Sequence, residues 1–135
     1  MSTRATVHFD YGSEPEAIIY RHSDGYPEGL GKDLQRFFQD VQEQTKDQRF
    51  TDPSYLAAKF VVWQAWEYVK MSAKWSKSTT QPHRLDFLSV GVHLRDPEDI
   101  EYRYHVDCSQ NDEKGFPPVT CEKGYKDNWQ EVKLT

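Results

Sequence analysis

The sequence predicts an α+β fold: an antiparallel sheet of order ββααββ, with two helices packed on one face. Three observations carry this. Thr3–Phe9 and Ala17–His22 alternate apolar and polar residues with a period of two, the mark of half-buried strands. Between positions 30 and 75 the period changes to three and four, which places two helices in succession. From Leu85 to Cys108 the alternation returns, so strands flank a helical centre instead of alternating with single helices.

Each element follows in order. The first strand sets Ala5, Val7 and Phe9 against Arg4, Thr6 and His8, and the turn chemistry of DYGSEPE sends the chain back. In the returning strand Ile18, Tyr20 and His22 share one face, while Ile19 and Arg21 share the other. YRHSDGYPEG, Tyr20–Gly29, then joins sheet to helix, with Asp24–Gly25 as a turn and Pro27 at the helix start. Leu34, Phe37, Phe38 and Val41 continue from Leu30 as one apolar stripe, with Lys32, Asp33, Arg36 and Gln39 turned outward. Thr51-Asp52-Pro53 opens a second helix, which runs to Met71 and at most to Trp75. Its apolar set (Leu56, Ala57, Phe60, Trp63, Trp66, Val69) exceeds one stripe. One side is expected to fill the core and a second to meet another chain, so a homo-oligomer is expected.

Ser76–His83 reads as a polar loop. Leu88, Val90, Val92 and Leu94 then alternate against Leu85, Phe87, Ser89, Gly91 and His93. After the DPED turn, Ile100, Tyr102, Tyr104 and Val106 alternate against Glu101, Arg103, His105 and Asp107, and the two runs read as a hairpin. Ser109–Pro118 is a loop, and VTCEKG and WQEVKL add one or two short edge strands.

A length of 135 residues fits one domain. A chain of this size buries roughly two-thirds of its unfolded surface and needs no disulfide to fold. The net charge of −5 argues against nucleic acid as a partner, which calls for a basic stripe, and the acids are too dispersed for a mimic of DNA. No run approaches the roughly 18 apolar residues of a membrane span. MSTRATVHF carries no apolar leader pattern, so a cytoplasmic setting with reduced thiols is expected. Cys108 and Cys121 read as ordinary thiols. His105, three positions before Cys108, brings them to three ligands without a CxxC pair, so neither metal nor cofactor is expected.

Two places concentrate binding chemistry. Free N–H groups at the first helix start favour an anion, and Arg21 and His22 stand at the end of the incoming strand. Arg4, Thr6 and His8 form one polar strand row, and Arg103, His105 and Asp107 another. On a sheet face without helices these rows would form a patch rich in arginine and histidine, with Phe87 as a ring for stacking. The same residues also fit exposed cross-strand pairs, and Ser23–Gly29 fits a turn and helix start alone. His22 with Asp24, or His105 with Asp107, has acid–base composition. No GxSxG, HExxH or Walker loop accompanies them, so binding is expected before catalysis.

STRAT at Ser2–Thr6 with YRHSDGYPEGLG at Tyr20–Gly31 resembles a group of small phage proteins, over roughly the first forty residues. The chain also resembles, in length, α+β order and arginine-with-aromatic rows, the Thoeris anti-defence sponges of phages. That resemblance implies a protein in the host cytoplasm that sequesters a cyclic nucleotide or ADP-ribose-type immune signal without cleaving it, in a pocket between protomers. Reading the residues themselves toward such a small phosphorylated nucleotide ligand gives a set of Arg4, Arg21, His22, Asp24, Tyr26, Phe87, Arg103 and His105. Arginines would meet phosphates, Phe87 or Tyr26 a base, and His22 or Asp24 the ribose. An inhibitor docking on a host protein through the aromatic helix, and a small nucleotide hydrolase, are the alternatives.

Overall fold

The computed structural model describes residues 2–75 and 89–134. The expected loop Ser76–His83 and the stacking ring Phe87 lie outside them. The described chain is α+β, with six strands in one mixed sheet of order β3-β2-β1-β4-β5-β6. β1 (Ala5–Tyr11) and β2 (Glu14–Arg21) form the expected antiparallel hairpin, with a bulge between Phe9 and Asp10. Its turn places Gly12 at a φ of +61°, where a side chain would be strained. β3 (Val90–His93) pairs with β2, β4 (Tyr102–Asp107) with β1, and β5 (Val119–Tyr125) and β6 (Asn128–Val132) continue antiparallel from β4, with β6 rather than β5 at the edge.

Two expectations are corrected here. The sheet is mixed rather than antiparallel, because β1 and β4 run parallel, with Thr6 opposite Arg103 and His8 opposite His105. The hairpin expected from Leu85 to Cys108 does not form either, since β2 and β1 lie between β3 and β4. Alternation reports which face a residue occupies and nothing about which strand it pairs with. The segment from Leu94 to Glu101 is therefore a crossover between parallel strands instead of a tight turn. It carries Asp96 and Asp99 back onto the sheet, where they bond residues of β1 and its lead-in.

Helix α1 (Lys32–Gln44) follows one wide π-type turn at Pro27–Gly31, and α2 (Pro53–Trp75) follows a short loop. Both lie on the sheet face that presents Ala5, Val7, Phe9, Ile19, Tyr104, Val106 and Cys121. Leu34, Phe37 and Phe38 of α1 and Leu56, Ala57 and Phe60 of α2 complete this core. Phe60 sits at its centre, 5.9 Å from Phe9 and 5.0 Å from Phe37 between ring centroids. Burying such a ring contributes about 1.5–3 kcal/mol. The pleat sends Thr6, His8, Tyr20, Arg103 and His105 to the opposite face, which no described helix covers. No helix among the described residues is long and apolar enough to cross a membrane.

Candidate functional site

YRHSDGYPEG is tied to the scaffold at nearly every residue. Arg21 points to the helix side, where Nε donates to the Ser23 carbonyl at 2.9 Å and Nη1 pairs with Asp33 of α1 at 2.6 Å. Asp24 takes a φ of 55°, and its carbonyl accepts from the Leu30 N–H at 2.9 Å. The Gly25 N–H donates to the Thr3 carbonyl, and the buried Tyr104 hydroxyl donates to the Gly25 carbonyl at 2.7 Å. A Cβ on Gly25 would lie 2.6 Å from that of Ala5, so the close approach requires glycine. Tyr26 is exposed and its hydroxyl donates to Asp24 at 3.2 Å. His22 turns to the other face, with Nδ1 2.9 Å from the Tyr20 hydroxyl.

The sheet face away from the described helices holds a compact polar cluster under the 94–101 crossover. Asp96 Oδ1 accepts from the Thr6 hydroxyl at 2.6 Å and lies 2.8 Å from His8 Nε2; Oδ2 is 3.7 Å from Arg103. Burial alone would raise the Asp96 pKa, but the His8 and Thr6 bonds and the Arg103 charge outweigh it and hold the carboxyl below its ordinary value. Arg103 grips Glu122 through two nitrogens, at 2.9 and 3.1 Å, and stacks 4.3 Å from the Trp129 ring. That grip, assisted by His105, holds the Glu122 carboxyl below its ordinary value as well. His105 bridges two carboxylates, with Nδ1 3.1 Å from Asp10 and Nε2 3.1 Å from Glu122, and its ring lies 4.7 Å from that of His8. A neutral imidazole has one N–H, so it can donate to only one of these two oxygens.

Arg4, His22, Arg103 and His105 thus share one face, whereas Arg21, Asp24 and Tyr26 lie around the turn and the helix side. Phe87 lies outside the described residues. Arg4 pairs with Asp99, Arg21 with Asp33 and Arg103 with Glu122, so each predicted arginine is already bonded to a carboxylate. Neither sequence-adjacent acid–base pair forms. His22 bonds Tyr20 rather than Asp24, and His105 bonds Asp10 and Glu122 while Asp107 accepts from Ser109 and Gly12. Asp10, Asp96 and Glu122 were missed as site residues. In the sequence Asp96 reads only as part of the DPED turn, and no signal ties it to a strand that precedes it by so much chain.

A second feature lies on the helices. α1 and α2 frame a groove of about 790 Å³, lined by Phe37, Tyr55, Trp63 and Trp66 with Lys59 and Lys70 among its polar residues. The Trp63 ring N–H donates to Asp40 at 2.8 Å, and Arg36 lies over the same ring at 5.3 Å while bridging Asp33 and Glu67. Trp66, Val62 and Tyr55 stay more than half exposed, at 63%, 55% and 53%. Their spacing of seven and four residues puts them on one helix stripe, of which only Trp66 belongs to the surplus apolar set read from the sequence. Compared with models of protein families, with curated proteins and with solved structures, the chain matches none.

Proposed function

We propose that this protein binds and sequesters a small phosphorylated ligand of the cyclic nucleotide or ADP-ribose type without cleaving it, as its resemblance to phage signal-sequestering proteins implies. The ligand lies in the groove between α1 and α2. One observation carries the reading: the groove combines a volume of about 790 Å³ with three exposed or half-exposed rings. Ligand pockets span roughly 300–1,000 Å³, and stacking one base on an aromatic ring is worth about 1–3 kcal/mol. Trp66, Trp63 and Tyr55 offer the stacking surface and Lys59 the charge for a phosphate, while Lys70 is paired with Glu67 at 3.2 Å, and Asp40 and Glu67 also line the groove. On the sheet face a phosphate would have to displace Asp99 from Arg4 or Glu122 from Arg103, and would stand beside Asp96. The groove is preferred to the arginine set for its exposed rings and its volume, since carboxylates stand beside the cations in both places.

The test titrates the protein with cyclic ADP-ribose and ADP-ribose, followed by tryptophan fluorescence and calorimetry, and recovers the ligand after heat denaturation. Saturable binding that Trp66→Ala weakens at least about tenfold, with the nucleotide recovered intact, supports the reading. Absence of binding to both probes, or recovery of a cleaved product, overturns it. A second reading rests on the exposed stripe of Tyr55, Val62 and Trp66, which also fits a protein partner or a second copy closing the groove. Sedimentation that stays monomeric at micromolar concentration removes the second copy.

A further inference from the structure

We propose that His8, Asp10 and His105 form a site for a divalent first-row transition-metal ion on the sheet face away from the described helices. The parallel register of β1 and β4 sets His8 directly opposite His105, and Asp10 follows His8 on the same face. One donor atom from each of the three side chains lies within 4.8 Å of the others. An ion about 2.1 Å from each donor holds its donors roughly 3.0–3.4 Å apart, so the widest separation closes by up to roughly 1.4–1.8 Å on binding. Among the described residues no other group of three histidine, cysteine or carboxylate ligands comes together this way.

Three further features fit a cation here. Asp10 Oδ1 is buried with no hydrogen-bond partner among the described residues, although Oδ2 faces His105, and a bare carboxylate oxygen away from water calls for a positive neighbour. Both histidines are oriented by carboxylates outside the triad, His105 Nε2 by Glu122 and His8 Nε2 by Asp96. Metal-bound histidines characteristically hold their second ring nitrogen in this way, which leaves Nδ1 of each ring for the ion. Three carboxylates, Asp10, Asp96 and Glu122, surround the two rings against the single guanidinium of Arg103. Two imidazoles and one carboxylate suit zinc, cobalt or iron(II), and three protein donors leave coordination positions for water or a ligand oxygen. Cys108 and Cys121 take no part, since both are buried in the core on the helix side.

The inference is independent of the groove between the helices, and its test does not involve a nucleotide. Untagged protein is titrated with Co²⁺, read by its visible absorption and by calorimetry, and then with Zn²⁺ as competitor. One ion per chain is expected, with affinity reduced at least about tenfold in Asp10→Asn and His105→Gln and similarly in Glu122→Gln. His93→Gln, on the same sheet face beside Tyr20, should bind as the unmodified protein does. Far-ultraviolet circular dichroism and the melting temperature identify any variant that fails to fold. If His105→Gln does so, Asp10→Asn and Glu122→Gln decide the matter. No cobalt binding, unchanged affinity in Asp10→Asn, or an equal loss in His93→Gln overturns the site.

Discussion

Replacing Tyr104 by Phe tests whether the DGYPEG turn is held to the sheet by one buried hydrogen bond. Tyr104 is fully buried in β4, and burial pushes its phenol pKa far above the ordinary value, so the hydroxyl is there to donate. Its acceptor is the Gly25 carbonyl at 2.7 Å. The substitution keeps the ring and its packing and removes one oxygen, so cavity effects are small. What it leaves is a buried carbonyl without the phenol, a loss of about 1–3 kcal/mol. With a urea m-value of about 2 kcal/mol/M, a loss of about 2 kcal/mol lowers the unfolding midpoint by about 1 M. The Gly25 and Leu30 amides, which bond Thr3 and Asp24 across the same turn, should exchange with solvent faster in the variant. A midpoint shift below about 0.25 M with an unchanged m-value would refute the reasoning, because the turn would then be held by its other bonds alone.

Phe60→Ala should cost about 3–5 kcal/mol in chemical denaturation, since the ring is fully buried between Phe9 and Phe37. Arg21→Lys should cost about 1–2 kcal/mol, because an ammonium cannot reach both the Ser23 carbonyl and Asp33; Arg4→Lys, at an exposed pair, should change the melting temperature little. Burial pushes the Cys108 thiol up to about 12 and the Cys121 thiol up to about 11, so a thiol reagent at pH 8 should label neither in the folded protein and both in guanidinium. Fast labelling of the native protein would show that the core opens around them. Trp66→Ala should leave the unfolding free energy within about 0.5 kcal/mol of the unmodified protein while weakening the proposed nucleotide binding at least about tenfold.

The face that each strand residue occupies was legible in the sequence because the pleat has a period of two. Thr6 and His8 do share a face with Arg103 and His105, as their alternation with Val7, Tyr104 and Val106 required. The stripes of α1 and the surplus on α2 were legible for the same reason, at the helical period. The partner of each strand was not. Pairing depends on how the whole chain closes over its core, and a run such as Val90–His93 carries the same pattern whichever neighbour it joins. The placement of Asp96 over Thr6 and His8 follows from that closure, as does the commitment of Arg4 and Arg103 to carboxylates.

The stretch YRHSDGYPEG shows where local and tertiary information divide. Its turn, its helix start and the opposite directions of Arg21 and His22 are set by local chemistry: glycine, proline and the pleat act within a few residues. That Arg21 is used on Ser23 and Asp33, and that Gly25 is pressed against Ala5 and bonded by Tyr104, belongs to the folded molecule alone. Sequence by itself determined the elements and their faces, because those follow from short-range periodicity. The tertiary structure alone decided which strands meet and which charges are already satisfied, because these contacts join residues far apart in the chain and exist only once it has closed.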